Sequence, residues 1–286
     1  MIDKTGIPEW HIGDARITRV LEVQGPLGFV LPDATPENLA PIRWLAPHFL
    51  AQDGGPAGSV QALIIESQGK RILVDPCIGN NKSLPIRAWS NRSGSFLEDL
   101  AGAGFARETI DTVVCTHLHM DHVGWNTMLV DGQWAPSFPN ARYLFGGIEW
   151  DHWNRTREGW TGTVIEQSIQ PILDRGLADM TDAGFHISED VWLEGTPGHT
   201  PGHMSVKISS RGKDAVITGD LMHHPSQIAR PDWASVADTD AKAASKTRLD
   251  FTERYADSGT IVFGTHFNAP TAGLIVREGG GFIFQT

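Results

Sequence analysis

The stretch Thr116-His117-Leu118-His119-Met120-Asp121-His122 decides how the rest of the chain is read. Two histidines two residues apart project to the same side of an extended segment, so both imidazoles can reach one cation. Asp121 and His122 follow at once, where the chain must turn or start a helix, and can face a second cation. Four oxygen- and nitrogen-bearing side chains within six residues, directly after the apolar run 110–115, form a metal-ligand constellation rather than surface decoration. Imidazole and carboxylate donors suit zinc, and also manganese, iron or cobalt.

Outward from this stretch the same arrangement recurs three times: an apolar strand, a tight turn, then a ligand. Residues 191–193 lead to His199, residues 215–218 lead through Gly219 to Asp220, and residues 261–263 lead through Gly264 to His266. A ligand at a strand end is where side chains from distant parts of a sheet can converge. Further strands are predicted at 11–23 and 142–145, and a closing pair at 273–276 and 281–284. Hairpins are predicted from 59–66 with 71–74 and from 204–208 with 215–218, each around a polar, glycine-bearing turn. Helical composition covers 95–104, 165–173 and 240–256. Strands and helices alternate in two blocks, which predicts a layered α/β sandwich.

The 286 residues, 40% of them hydrophobic, are expected to form a single domain over 1–286. Residues 24–58, rich in proline, glycine and alanine, are expected to be a long functional loop, a lid or a dimer arm. No apolar run reaches the length of a membrane-spanning helix. The first 14 residues lack the layout of a secretory leader, so a soluble cytoplasmic protein is expected. The formal net charge of −11 argues against nucleic acid as a partner, because phosphates demand lysine and arginine. Cys77 and Cys115 are isolated in apolar runs and read as buried thiols, not as metal ligands.

The set THLHMDH, TPGHTPGH, TGD and FGTH, in that order over residues 116–266, resembles the metallo-β-lactamase fold superfamily. The resemblance implies a four-layer αββα sandwich with the site at one edge of two sheets. It implies two divalent cations, zinc first among the candidates, with His117, His119 and His199 on the first, Asp121, His122 and His266 on the second, and Asp220 bridging them. A water shared by two such ions is acidified to hydroxide at neutral pH and attacks a carbonyl or phosphoryl centre. Asp121 is implied to orient that nucleophile and shuttle a proton. His203, in a second Pro-Gly-His unit, is expected to be a structural neighbour, and Asp75 matches an early strand-end aspartate that orients a ligand histidine or else caps a turn.

Departures separate the branches. The TGD aspartate, Asp220, disfavours antibiotic cleavage, and no basic cluster follows His266 as in glutathione thiolester hydrolases. Diiron flavoproteins carry glutamate where His119 stands, and the acidic balance disfavours a tRNA-processing role. The chain most resembles the acyl-homoserine lactonases and methyl parathion hydrolases, which implies hydrolysis of a lactone or related ester, with phosphotriesters and thiolesters as alternatives, and a homodimer. Where such lactonases carry a tyrosine three residues after the bridging aspartate, this chain has His223, which can donate a hydrogen bond to a developing oxyanion. Ten tryptophans, among them Trp44, Trp89, Trp125, Trp150, Trp153 and Trp233 near the expected site, point to a small apolar or aromatic substrate. A mononuclear iron persulfide dioxygenase, using only the first set of ligands, and a non-catalytic binding scaffold are the competing classes.

Overall fold

The computed structural model describes residues 7–286. The reading of the first 14 residues therefore falls in part outside the described residues. Two sheets dominate. The first runs in the order β1 (Glu9–Ile12), β2 (Ala15–Pro26), β3 (Ala57–Ser67), β4 (Lys70–Val74), β5 (Thr112–Val114), β8 (Arg142–Gly146), β9 (Ala178–Thr181). The second follows chain order: β10 (Val191–Gly195), β11 (Met204–Ser210), β12 (Lys213–Ile217), β13 (Ile261–Phe263), β14 (Ala272–Glu278), β15 (Gly281–Gln285). A small hairpin, β6 (Thr127–Val130) with β7 (Gln133–Pro136), stands apart.

Alternation of side chains along the strands produces the layers. Leu63, Ile65, Ile72, Val74 and Val114 of the first sheet pack against Leu193, Val206, Ile208, Ala215, Ile217 and Phe263 of the second. Their neighbours one position away, Ala62, Ile64, Leu73 and Val113, face outward onto helices α2 (Phe96–Gly102), α4 (Gly147–Arg155), α5 (Gly159–Val164) and α6 (Gln170–Asp174). A π-helical turn, Ile165–Ile169, joins α5 to α6. On the far side, Val216, Val262, Ile275 and Phe284 face α7 (Ser226–Ala229), α8 (Ala241–Tyr255) and the segment that contains α1 (Pro36–Leu39). The result is helix, sheet, sheet, helix. No helix among the described residues is long and apolar enough to cross a membrane.

Two expectations are corrected. Residues 11–23 are not one strand: Gly13, at φ +59°, turns the chain between β1 and β2, and a side chain there would lie 2.2 Å from the Ser210 carbonyl oxygen. The 24–58 segment is shorter as a loop than expected, because Gln24, Gly25 and Pro26 pair with Ser59, Gly58 and Ala57. Most of what remains is not mobile-looking surface. Leu31, Leu39, Leu45 and Phe49 are fully buried in the outer core of the second sheet. The β6–β7 hairpin, β9 and α4 were not anticipated, being short and without strong periodicity.

Candidate metal centre

The ligand-bearing segments meet at the seam between the two sheets. β5 delivers His117 and His119, and the short helix α3 (Met120–Val123) that follows delivers Asp121 and His122. From the second sheet, β10 leads to His199, β12 to Asp220 and β13 to His266. All seven side chains are buried. They fall into two sets, His117, His119, His199 and Asp220 on one side and Asp121, His122 and His266 on the other, with the candidate donor atoms of each set within 4.8 Å of one another.

Asp220 stands between the sets and turns one oxygen to each. Its Oδ1 lies 3.2 Å from His122 Nε2 and 3.1 Å from His266 Nε2, while Oδ2 lies 3.4 Å from His199 Nε2 and 3.7 Å from His117 Nε2. Asp121 Oδ2 is 3.5 Å from His266 Nε2. His119 Nδ1 faces His199 Nε2 at 3.0 Å, and His122 Nε2 faces His266 Nε2 at 3.2 Å. Donors about 2.0–2.1 Å from a tetrahedral ion are separated from each other by about 3.3 Å. The spacings here match that figure. Among the described residues His117 Nε2 and Asp220 Oδ1 are buried without a hydrogen-bond partner, a costly condition that a cation on each side of Asp220 would relieve. The donor set therefore fits divalent metal.

Four of the five imidazoles, His117, His122, His199 and His266, are held from behind. His266 Nδ1 donates to the Ser59 carbonyl oxygen at 2.8 Å, His199 Nδ1 meets Asp238 Oδ1 at 2.8 Å, and His117 Nδ1 lies 3.1 Å from Thr116 Oγ1. Asp75 accepts from the Thr116 N–H and hydroxyl, both at 2.8 Å, and forms an ion pair with His122 Nδ1 at 3.0 Å. Glu149, on α4, accepts from Leu118 N, Gly202 N and Trp153 Nε1, tying the two histidine loops together. Asp238 and Glu149 were missed by the sequence reading. Neither sits in a recognisable motif, and only the folded chain brings Asp238 to His199.

Electrostatics follow from this crowding. Burial disfavours charge on His122 and His266, but the carboxylates of Asp220 and Asp121, joined by Asp75 at His122, outweigh it and raise both. Burial acts to raise the Asp220 carboxyl, and the imidazoles of His122, His266, His223 and His117 overrule it, holding it well below the usual carboxylate range. Burial and neighbouring imidazoles push His117 and His119 down. His203 uses both ring nitrogens inside the protein: Nδ1 faces Thr196 Oγ1 at 2.8 Å, and Nε2 accepts from Asp220 N at 2.9 Å. Burial drives it down to about 3.

A cavity of 440 Å³ opens over Asp121, Asp220, His119 and His266, walled by Leu27, Phe29, Trp89, Trp153 and Trp160. Of the six tryptophans placed near the site, only Trp89 and Trp153 border it. Trp125 stacks on Phe96 and donates to Glu22, Trp150 lies under Arg157, and Trp44 and Trp233 belong to the outer core of the second sheet. Trp160, on α5, was overlooked. From the 24–58 segment, Leu27, Phe29 and Val30 reach the cavity. His223 lines it too, with Nε2 3.3 Å from Asp220 Oδ2 and a buried Nδ1 that has no hydrogen-bond partner among the described residues.

Comparison with known proteins agrees with this geometry. Residues 55–266 match the family model described as the metallo-beta-lactamase superfamily. Among curated proteins, an N-acyl homoserine lactonase from Bacillus sp is 24% identical over 176 residues, which is 55% of this chain and 61% of that protein. The metallo-hydrolase mfmC of Annulohypoxylon moriforme is 28% identical over 150 residues, 47% of this chain and 36% of that protein. The chain thus spans less than two thirds of either relative. Among solved structures, the hydrolase AbOPH of the beta lactamase superfamily superposes with a TM-score of 0.81 at 27% identity, covering 98% of this chain and 96% of that one. AidC, a dizinc quorum-quenching lactonase, shares the fold with a TM-score of 0.76 at 24% identity, over 97% and 96% of the two chains. With all seven ligand positions inside residues 55–266, most of the chain, the chain belongs to the metallo-β-lactamase superfamily.

Proposed function

We propose that this chain is a metal-dependent hydrolase that opens a lactone or related ester with two divalent cations, zinc being the first candidate. One observation carries the proposal: the Asp220 carboxylate presents one oxygen to the His122–His266 pair and the other to the His117–His199 side, at spacings suited to a shared ligand. A mononuclear oxidoreductase would need only the first set and gives no reason for the burial of Asp121, His122 and His266 as a second one. The lactonase names of AidC and of the Bacillus relative add support for the substrate class.

When bound, the metal pair supplies hydroxide at neutral pH and polarises the carbonyl under attack. The chain's own residues do the rest. His117, His119 and His199 would hold the first ion, Asp121, His122 and His266 the second, with Asp220 common to both. Asp121 lines the cavity, within reach of a bound substrate, and would orient the nucleophile and carry a proton to the departing oxygen. His223 lines the cavity with Nε2 beside Asp220 Oδ2, and would donate a hydrogen bond to an oxygen of a bound substrate. Phe29, Trp89, Trp153 and Trp160 exclude water and favour an apolar acyl or aryl group. A second cavity of 380 Å³, sharing Leu27, Phe29, Ile86 and Trp89 with the first, gives a long chain somewhere to continue.

A hydrolysis screen of zinc-loaded protein over lactones of increasing acyl length, aryl esters, thiolesters, phosphotriesters and β-lactams tests this. Lactones or esters are expected to lead, with longer apolar chains favoured. Asp220→Ala is expected to lower kcat/KM at least about 100-fold, as loss of a shared ligand demands more than loss of a supporting partner. Unchanged activity in Asp220→Ala, or hydrolysis confined to β-lactams, would overturn the proposal.

A further inference from the structure

Arg248 lies on α8 and is 0% exposed, a guanidinium sealed inside the protein. Burying such a charge is costly unless its donors are met. Here its partners lie in one strip of chain, residues 221–238. Nε donates to the Leu221 carbonyl oxygen at 2.9 Å, Nη1 to those of Pro231 and Trp233 at 2.8 and 3.0 Å, and Nη2 faces Asp238 Oδ2 at 3.5 Å. That strip contains His223, Val236 and Ala237, which line the cavity over Asp220, and it ends in Asp238. Asp238 in turn is 0% exposed at its side chain, accepts from Ser235 N at 2.9 Å, and holds His199 Nδ1 at 2.8 Å.

The same helix also supports the His199 loop directly. Gly198 packs so closely on α8 that a side chain there would come within 2.3 Å of Ala244 N, and Thr247 Oγ1 donates to the Pro197 carbonyl oxygen. Thr239 N and Asp240 N donate to the carbonyl oxygens of His199 and Gly198. Loop, strip and helix are thus cross-tied, and Arg248 supplies four of the ties between strip and helix. A planar five-donor fork can serve four acceptors spread over 18 residues of chain; a lysine cannot.

We propose that Arg248 is a positioning residue for the first ion's site: it fixes Asp238, and through it the orientation of His199, while holding the His223 wall of the cavity in place. This rests on the two-ion reading above. The test uses full-length protein in a His266→Ala background, so that the ion remaining is the one on the three-histidine side, and measures zinc affinity by competition with a chromogenic chelator. Arg248→Lys and Asp238→Asn are each expected to weaken that ion about 10- to 100-fold. The double variant is expected to be no weaker than the worse single one, because both act through His199. Circular dichroism and melting of each variant report whether it folds; if Arg248→Lys does not, Arg248→Gln takes its place in the cycle, alone and combined with Asp238→Asn.

Folded variants that keep wild-type zinc affinity would overturn the assignment, as would losses that multiply in the double variant. Failure of the underlying reading looks different. If the otherwise unaltered protein binds one zinc, and His266→Ala binds that zinc undiminished, the two-ion reading falls while the Arg248 cycle on the remaining ion still decides its own question.

Discussion

Asp75→Asn isolates the support behind the second set of ligands. Asp75 sits at φ +53°, a left-handed conformation that asparagine adopts as readily as aspartate, so the backbone gains no new strain. The change is confined to one side-chain atom. With the amide oxygen retained toward Thr116 N, the new NH₂ group meets the Thr116 hydroxyl, which can accept, and His122 Nδ1, which cannot while it carries its proton. Flipping the amide is worse, since it sets the amide N–H against the Thr116 N–H. His122 is 0% exposed and its Nδ1 has no hydrogen-bond partner among the described residues beyond this ion pair. Losing a charge-assisted partner in such a place costs about 1.5–3 kcal/mol, or about 10- to 100-fold in the affinity of the ion held by His122. Metal analysis after dialysis against graded chelator should show the second ion leaving at lower chelator concentration, with the first retained. Simultaneous loss of both ions, or no change in either, would refute the reasoning.

Two further outcomes are expected. Gly219 adopts φ +56°, and a Cβ there would lie 2.6 Å from His203 Nε2 and 2.8 Å from Thr116 Oγ1, so Gly219→Ala should displace the acceptor of Asp220 N, lowering the melting temperature and cutting kcat at least about 10-fold; a variant with wild-type melting and rate would contradict this. His224 is buried and neutral, with Nε2 donating to the Phe49 carbonyl oxygen and Nδ1 accepting from Ser226 N, and burial lowers it to about 4. Its unfolded form takes up a proton below about 6.5 while the folded form resists until about 4, so stability is complete above that window and declines through it. Between pH 6.5 and 5 this single group should remove about 2 kcal/mol, measurable by urea unfolding at the two pH values, and the decline should shrink in His224→Gln.

The ligands were legible because each follows an apolar strand across a short turn, so local pattern alone places it at a sheet edge. The strands after which His117, His199, Asp220 and His266 appear all form where the pattern put them. What holds the ligands was not legible. Asp238 reaches His199 from 39 residues away through a loop without periodicity, and Glu149 bridges two histidine loops from an unremarkable helix. Arg248 reads as one more charge on an amphipathic helix until the fold seals it. Tryptophans misled for a related reason: composition says nothing about which face of an element points at the cavity, and Trp125 and Trp233 turned to the core while Trp160 turned to the site.

The site straddles the junction of the two sheets, with His117, His119, Asp121 and His122 contributed by the first and His199, Asp220 and His266 by the second. Ions coordinated there would rivet one half of the sandwich to the other, so occupancy and global unfolding become thermodynamically linked, each tenfold excess of free metal over its dissociation constant adding about 1.4 kcal/mol per ion. Resistance to denaturation would then track the metal supply of the surroundings, and a chelator would weaken the fold of this chain at the same time as it removed the activity.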